Sequence, residues 1–238
     1  MGSVPIPSTH CSGHSKMSRV VIIGAGETAE IAYEYFTYDS NYEIVGFSVE
    51  MEYIQRNTLH GLPVVAFEEI EKHYPPDDYL VFIAVSSTKL NRVRTRLYHE
   101  AKAKGFTCAT YVSSRSFVWR NVEIGENSFI FEDNTIQPFV KIGNNVVLWS
   151  GNHIGHNTII KDNCFVASHV VVSGFCEIGE NCFLGVNSTI INNITVAKDC
   201  FIGAGALIQK DTNEGSVYQS VSTEPSKVGS LRLFRIKE

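Results

Sequence analysis

The chain has 238 residues, which is enough for one large domain or two modest ones with a buried core. Hydrophobic residues make up 44% and charged residues 19%, which excludes a disordered chain, and neither end carries an apolar run of membrane-spanning length. The 20 basic and 25 acidic side chains give a net charge of −5 at pH 7, so we expect no nucleic-acid partner.

The six cysteines follow neither a secreted disulfide framework nor a CxxC metal spacing, so we expect reduced thiols and no metal site. Residues 1–16 are polar, rich in Ser and Pro, and lack the apolar segment of a signal peptide. We therefore expect residues 1–16 to form a disordered tail on a cytoplasmic protein.

Residues 17–112 alternate strand-like and helix-like segments, which predicts a Rossmann-like α/β domain with a parallel sheet covered by helices. The strand-like segments contain continuous apolar runs, as strands buried on both faces do. The predicted strands are 19–23, 42–49, 79–85 and 107–112, and the predicted helices are a stretch ending near residue 38, 67–73 and 88–104.

The turn after the first predicted strand has the pattern GxGxxA, from Gly24 to Ala29, and a predicted helix follows it. This arrangement suits a pyrophosphate at the helix N-terminus, and Glu50 after the second strand is placed to hold a ribose hydroxyl. NAD-binding proteins share the pattern, but only about one mononucleotide-binding half precedes the second part of the chain. We take Gly24, Gly26, Glu27 and Glu50 as candidate nucleotide contacts.

From Val118 to Ile208 an aliphatic residue recurs at every sixth position without a break. An α-helix would have an apolar period of 3.6 and an alternating strand a period of 2, so neither explains it. A period of six is typical of a prism of short strands, three to a coil of eighteen residues. The fifth position of each hexad is mostly small, as inward positions near a corner should be. We predict that residues 113–238 form this prism and a C-terminal tail.

A coil of eighteen residues predicts which side chains stack vertically. One column is expected to fill the interior with small, reduced thiols, and another to follow a corner with left-handed backbone, which Asn tolerates. The thiol column is Cys164, Cys182 and Cys200, and the corner column is Asn127, Asn145, Asn163 and Asn181, continued by Asp199.

A third column places aromatic side chains on one outer face of the prism. Packing under the C-terminal segment is one explanation, and a subunit interface is the one we favour, because a contiguous aromatic stripe is rarely left in water. The column is Phe129, Phe165, Phe183 and Phe201, with Val147 among them.

These hexads, with the pattern aliphatic–Gly–x–x–small–x, resemble the left-handed parallel β-helix of hexapeptide-repeat acyltransferases. A Gly-rich α/β domain joined to such a β-helix resembles the nucleotide-sugar N-acetyltransferases typified by NeuD and PglD, over about residues 18–225. The resemblance implies an acetyl-CoA-dependent enzyme that acetylates the amino group of a nucleotide-linked amino sugar. It also implies a homotrimer with acetyl-CoA bound between neighbouring subunits.

The resemblance also assigns catalytic residues. His156 lies third in its hexad, where the family has its catalytic histidine, and an imidazole suits the removal of a proton from an amine at neutral pH. Gly174 lies one coil further, and its N–H corresponds to the family's donor to the thioester carbonyl. Many relatives have Asp or Glu directly after the histidine, whereas this chain has Asn157. Glu132 and Asp162 are candidates for a substitute carboxylate.

Further contacts are expected on the same basis. The first domain would hold the nucleotide, and Ser86 and Ser87 fall where the family contacts this ligand; a plain strand-to-helix turn with an N-cap is an equal alternative. Basic residues of the tail after residue 208 are expected to meet the CoA phosphates. The residues expected to line the substrate or CoA groove are His153, His169, Gly174, Gly205 and Lys227.

Two other functions remain open from the sequence. The first is O-acetylation of a sugar such as a sialic acid, which uses the same groups on a hydroxyl nucleophile. The second is a catalytically inactive scaffold that binds a sugar nucleotide, and Asn157 in place of a carboxylate is the feature that favours it.

Overall fold

A computed structural model describes residues 17–236, and the tail predicted at residues 1–16 lies outside them. The described chain consists of an α/β domain followed by a parallel β-helix, as the sequence predicts. No helix in this described range is both long and apolar enough to cross a membrane.

The first domain comprises β1 (Ser18–Ile23), α1 (Glu27–Tyr38), β2 (Tyr42–Val49), β3 (Thr58–Leu59), β4 (Leu62–Ala66), α2 (Ile70–His73), β5 (Leu80–Ile83) and α3 (Arg92–Ala103). The strands form one sheet in the order β3–β4–β2–β1–β5. All neighbouring pairs are parallel except the β3–β4 hairpin, which the sequence analysis missed. Apolar residues of β1 and β5 are fully buried in the centre, which confirms the buried parallel sheet.

The β-helix is built from two-residue strands on three faces. The docking face, named for its contact with the first domain, contains β6 (Tyr111–Val112), β9 (Phe129–Ile130), β12 (Val147–Leu148), β15 (Phe165–Val166), β18 (Phe183–Leu184), β21 (Phe201–Ile202) and β23 (Val217–Tyr218). The second face contains β7 (Phe117–Val118), β10 (Thr135–Ile136), β13 (His153–Ile154), β16 (Val171–Val172), β19 (Thr189–Ile190) and β22 (Leu207–Ile208). The third face contains β8 (Glu123–Ile124), β11 (Lys141–Ile142), β14 (Ile159–Ile160), β17 (Glu177–Ile178) and β20 (Thr195–Val196).

The register confirms the coil of eighteen residues. Thr135 pairs with His153, and Val147 pairs with Phe165, each eighteen positions further along the chain. The aliphatic residues of the hexads point inward and form one continuous core. The column of cysteines lies inside this core with no exposed surface, as predicted. Burial raises the pKa of the Cys164 thiol, so this thiol stays protonated.

Each coil turns at three corners, which we number along the chain. The first corner joins the docking face to the second face, the second corner joins the second face to the third, and the third corner joins the third face to the docking face. After the last coil the chain continues through an exposed segment that includes α4 (Ser230–Leu233).

Two predicted elements differ from the structure. Helix α3 starts at Arg92 rather than near residue 88, because residues 89–91 have left-handed backbone with φ between 50° and 66°. The strand predicted at 107–112 is divided: Cys108 bridges to Val81 of the sheet, whereas Tyr111 pairs with Phe129 and starts the β-helix. Residue 112 therefore lies within the first coil.

Asparagines line the third corner, where the predicted left-handed ladder is confirmed. Asn127, Asn145 and Asn163 have φ between 54° and 63°. Their amides join along the column, since Asn127 Nδ2 donates to Asn145 Oδ1 and Asn145 Nδ2 donates to Asn163 Oδ1, both at 2.8 Å. The ladder thus satisfies the side-chain oxygens of Asn145 and Asn163 from within the column.

Helix α3 of the first domain docks on this ladder through Arg94, which is fully buried. Arg94 Nε donates to Asn145 Oδ1 at 3.2 Å, and Nη2 donates to the carbonyl oxygens of Asn163 at 3.4 Å and Cys164 at 3.1 Å. Burial lowers the pKa of the guanidinium to about 10, which keeps it charged at neutral pH. The β-helix therefore stabilises the guanidinium charge of Arg94 with carbonyl dipoles rather than with a carboxylate.

The aromatic column lies on the docking face, and the interface between subunits that we favoured for it is wrong for its first half. Phe129, Val147 and Phe165 are buried, and they pack in one cluster with residues of the first domain. The Phe129 ring contacts Phe36 of α1 and Phe82 of β5, with centroids 6.4 Å and 5.2 Å apart. The same chain covers the stripe because its own α/β domain folds back onto it.

We predict that Arg94→Leu lowers the free energy of unfolding by about 3 kcal/mol, because the substitution leaves the carbonyl oxygens of Asn145 and Asn163 without a donor from the described chain. Equilibrium unfolding in urea measures this. Arg92→Ala on the same helix is the control; it removes only an exposed ion pair with Asp199 and should cost less than about 1 kcal/mol. Equal losses in the two variants would show that the buried contacts do not stabilise the docking.

Candidate functional site

His156 lies at the second corner, directly after β13, and its imidazole is exposed. The backbone fixes its position, since its N–H donates to Gln137 Oε1 of the preceding coil at 2.9 Å. Asn157 has left-handed backbone with φ of 59°, and its Oδ1 lies 3.1 Å from His156 Nδ1. Because an amide oxygen only accepts, this arrangement favours the tautomer with the proton on Nδ1 and the lone pair on Nε2. This is the tautomer that a general base needs.

Gly174 lies beside His156 on the next coil, as the coil of eighteen residues predicts. A Cβ at Gly174 would lie 2.9 Å from His156 Nε2 and 3.0 Å from Cε1, so the imidazole occupies the space that a side chain would fill. The imidazole, rather than a substrate, therefore fills the space beside the Gly174 backbone. In the described part of the chain the Gly174 N–H meets no acceptor. Gly174 itself is buried beside the ring.

Neither candidate carboxylate reaches the imidazole. Glu132 lies at the first corner, where it accepts hydrogen bonds from Tyr35 and Ser150, both at 2.7 Å. Asp162 lies at the third corner and accepts the N–H of Asn144 at 2.7 Å. Both carboxylates serve the scaffold, so within the described chain the orienting group of the imidazole is an amide.

An aromatic contact of the imidazole was missed from the sequence. The ring of Phe175 meets the His156 ring edge to face, with centroids 4.9 Å apart and planes at 89°. Phe175 has left-handed backbone with φ of 57°, and Phe139, two coils before it on the same corner, has φ of 65°. The signal was present in the hexads, because other corner positions of this kind hold Gly, Asn, Asp or His.

The remaining residues expected at the CoA groove are separate from His156 within one chain. His153 is half-buried on the second face. His169 and Gly205 share the first corner, two coils apart, and the His169 ring covers Gly151, whose added Cβ would lie 2.5 Å from Nδ1. Lys227 is exposed in the C-terminal segment. Their roles in binding CoA stay predictions.

The glycine-rich turn has the form that the sequence predicts. Gly24 has φ of 133°, and a Cβ there would lie 2.6 Å from the carbonyl oxygen of Ala84, so only glycine fits. Gly26 and Glu27 are exposed at the start of α1, and no side chain caps the helix. A cavity of ≈ 210 Å³ opens beside this turn. It is lined by Ala25, Gly26, Val49, Tyr53, Gln55, Arg56 and Val64.

The other candidate nucleotide contacts lie elsewhere. The carboxylate of Glu50 forms an ion pair with Arg96 at 3.0 Å and is absent from the lining of this cavity. Ser86 and Ser87 lie in the loop after β5, where the Ser86 hydroxyl meets Thr88 at 3.1 Å. The N-cap residue of α3 is Asn91, so the alternative assignment of the serines as an N-cap is wrong.

Residues 139–174 and 175–210 match the model of the bacterial transferase hexapeptide (six repeats). Curated protein sequences give no match. A His-to-Asn mutant of perosamine N-acetyltransferase from Caulobacter crescentus, in complex with CoA and GDP-perosamine, is 20% identical with a TM-score of 0.75; the match covers 87% of this chain and 95% of that one.

The acetyltransferase domain of PglB from Neisseria gonorrhoeae FA1090 gives a TM-score of 0.75 at 23% identity, over 84% of this chain and 95% of that chain. The same domain in complex with acetyl coenzyme A gives 0.74 at 22% identity, with the same coverage. This chain therefore has the fold of these acetyltransferases, a Rossmann-like α/β domain followed by a left-handed parallel β-helix of hexapeptide repeats.

We predict that Gly174→Ala displaces the imidazole of His156, because the added methyl lies within 3.0 Å of two ring atoms. The ring then loses its contact with Asn157, and the His156 Cε1–H signal shifts in an NMR spectrum. Gly229→Ala is the control, since nothing lies within 4 Å of its Cβ position, and it should leave the signal in place. An unchanged His156 signal in Gly174→Ala would contradict the packing described above.

Proposed function

We propose that this protein is an acetyl-CoA-dependent N-acetyltransferase that acts on a nucleotide-linked amino sugar, a 4-amino-4,6-dideoxyhexose. The observation that carries the proposal is the pair of His156 and Gly174, a base and a free backbone donor on adjacent coils. It stands on a fold shared with a perosamine N-acetyltransferase solved with CoA and GDP-perosamine, and with an acetyltransferase domain solved with acetyl coenzyme A. CoA and nucleotide sugars also suit the predicted cytoplasmic location.

The reaction needs a proton acceptor and a donor to the developing oxyanion. The sugar amine attacks the thioester carbonyl carbon, and His156 Nε2 takes the proton of the amine as the C–N bond forms. The Gly174 N–H donates to the carbonyl oxygen, where negative charge develops. The C–S bond then breaks, and the imidazolium returns its proton to the sulfur of CoA. No covalent bond to the enzyme forms.

Asn157 orients the base without adding charge. Its Oδ1 accepts from Nδ1–H at 3.1 Å and so holds Nε2 toward the substrate. A carboxylate at this position would also stabilise the imidazolium, and an amide does so only through its dipole. We therefore infer that Asn157 positions the His156 imidazole but contributes little to its strength as a base.

The first domain would hold the nucleotide. The turn from Gly24 to Gly26 leads into α1, whose first N–H groups meet no side-chain cap and attract a pyrophosphate. Arg56 in the adjoining cavity adds a cation, although Glu30 lies 3.7 Å from it. These features support binding of the diphosphate, whichever base it carries.

The active site would be completed between copies of the chain in a homotrimer. In a three-sided prism the second corner lies opposite the docking face, so the body of the β-helix stands between His156 and the first domain of the same chain. The second face also exposes apolar side chains, including Phe117, Val171 and Leu207, that a neighbouring copy would cover. A nucleotide sugar held by one copy would then meet the His156 corner of another.

We predict that His156→Ala lowers kcat for acetyl transfer by about 10²- to 10⁴-fold, because the amine loses its proton acceptor. Release of CoA thiol from acetyl-CoA, with a panel of nucleotide amino sugars, measures the rate. His99→Ala on the exposed side of α3 is the control, and light scattering checks that both variants keep the same mass. Wild-type turnover in His156→Ala would refute the base.

The same assay separates the alternatives. An amide product persists in mild base, whereas an ester from O-acetylation hydrolyses. If no amino sugar releases thiol, the chain is better described as a scaffold.

The basic C-terminal segment is proposed to meet the CoA phosphates, since Lys227, Arg232 and Arg235 are exposed and belong to no ion pair within residues 17–236. Truncation after Ser222 should raise the KM for acetyl-CoA about fivefold, the effect of roughly 1 kcal/mol from an exposed ion pair. The full-length double variant Arg232→Gln, Arg235→Gln separates charge from the loss of the segment. An unchanged KM in the truncated enzyme would exclude the contact.

A further inference from the structure

Two phenylalanines occupy backbone positions that this β-helix otherwise gives to other residues. At every sixth residue from 127 to 205 the backbone is left-handed, with φ between 54° and 76°. These corner positions hold Asn, Asp, Gly or His, apart from Phe139 and Phe175. A bulky side chain is disfavoured in this conformation, because its Cβ crowds the following carbonyl oxygen.

Burial does not explain the two aromatic residues. Phe139 is 59% exposed and Phe175 is 55% exposed, so neither ring gains much from packing within the chain. A large apolar side chain that is both strained and in water is a feature of binding sites rather than of scaffolds.

Both phenylalanines lie on the corner that bears the proposed base, and the Phe175 ring contacts it. Phe139 and Phe175 follow the second corner one coil before and one coil after Asn157, with their Cα atoms about 10 Å apart, as two strand spacings require. The Phe175 ring contacts the imidazole of His156 edge to face at 4.9 Å. The surface next to the base is therefore apolar on the side where Phe175 lies.

We propose that Phe139 and Phe175 form an apolar subsite that selects an amino sugar with a methyl group at C5 over one with a hydroxymethyl group. The inference rests on the proposed function. If the amine on C4 faces His156, the carbon attached to C5 is only three bonds from the reacting nitrogen, which brings it within reach of the surface around the base. A methyl group packs on the aromatic rings, whereas a hydroxyl there would lose its hydrogen bonds to water.

The test uses substitutions that suit the backbone. Phe139→Asn and Phe175→Asn introduce the residue that most corner positions of the β-helix already hold, so both variants should fold, with an unchanged or raised melting temperature. Tyr38→Ala removes an exposed ring from the C-terminal end of α1, away from this corner, and serves as the control.

The measurement is kcat/KM for two substrates on one nucleotide: a 4-amino-4,6-dideoxyhexose that the wild type acetylates, and its counterpart with a hydroxyl at C6. We expect the wild type to prefer the deoxy sugar by about 10- to 100-fold, the range that an apolar site achieves against an added hydroxyl. Each Asn variant should lose most of this preference, and Tyr38→Ala should keep it.

Each other outcome is decisive. An unchanged preference in both Asn variants overturns the subsite. Loss of the preference together with dissociation of the oligomer, seen by light scattering, assigns the rings to a subunit contact instead and also overturns it. No thiol release by the wild type with any amino sugar is a failure of the proposed function, and it is distinguished from the other outcomes because it does not involve the variants.

Discussion

Hydrogen bonding between strands eighteen residues apart is the constraint on which the β-helix depends. Each strand has only two residues, so no strand is stable without the coils on either side of it. Because the register does not slip, the number of a residue determines its vertical neighbour. The buried thiols, the asparagine ladder and the contact between His156 and Gly174 all follow from this one spacing.

This constraint also explains what could be predicted from the sequence. The β-helix and the neighbours of His156 follow from a repeat within the chain, so counting was enough. Tertiary packing determines which residues bury the aromatic column and which side chains bond to Glu132 and Glu50. No local sequence pattern encodes this packing. Phe175 could be recognised in the sequence only as an exception to the Asn, Asp, Gly and His residues at the other corner positions. That exception becomes apparent once the left-handed positions are known.

The two domains are held together by different kinds of contact at two edges of the docking face. Along the face, aromatic rings from both domains form one apolar cluster. At the third corner the buried Arg94 bonds to the ladder, and at the first corner Tyr35 donates to Glu132, where burial and this bond raise the pKa of the tyrosine to about 12. Polar contacts at specific points fix the orientation that apolar packing alone would leave free.

The position of the docking face carries a consequence for how such a protein changes over time. The α/β domain, which packs on the docking face, and the corner that bears His156 lie on opposite sides of the β-helix. Under the proposed function they cooperate only across neighbouring copies. The effect of a mutation in the α/β domain therefore depends on how that domain fits an adjacent copy encoded by the same gene. Natural selection then acts on the assembly and not on the single chain.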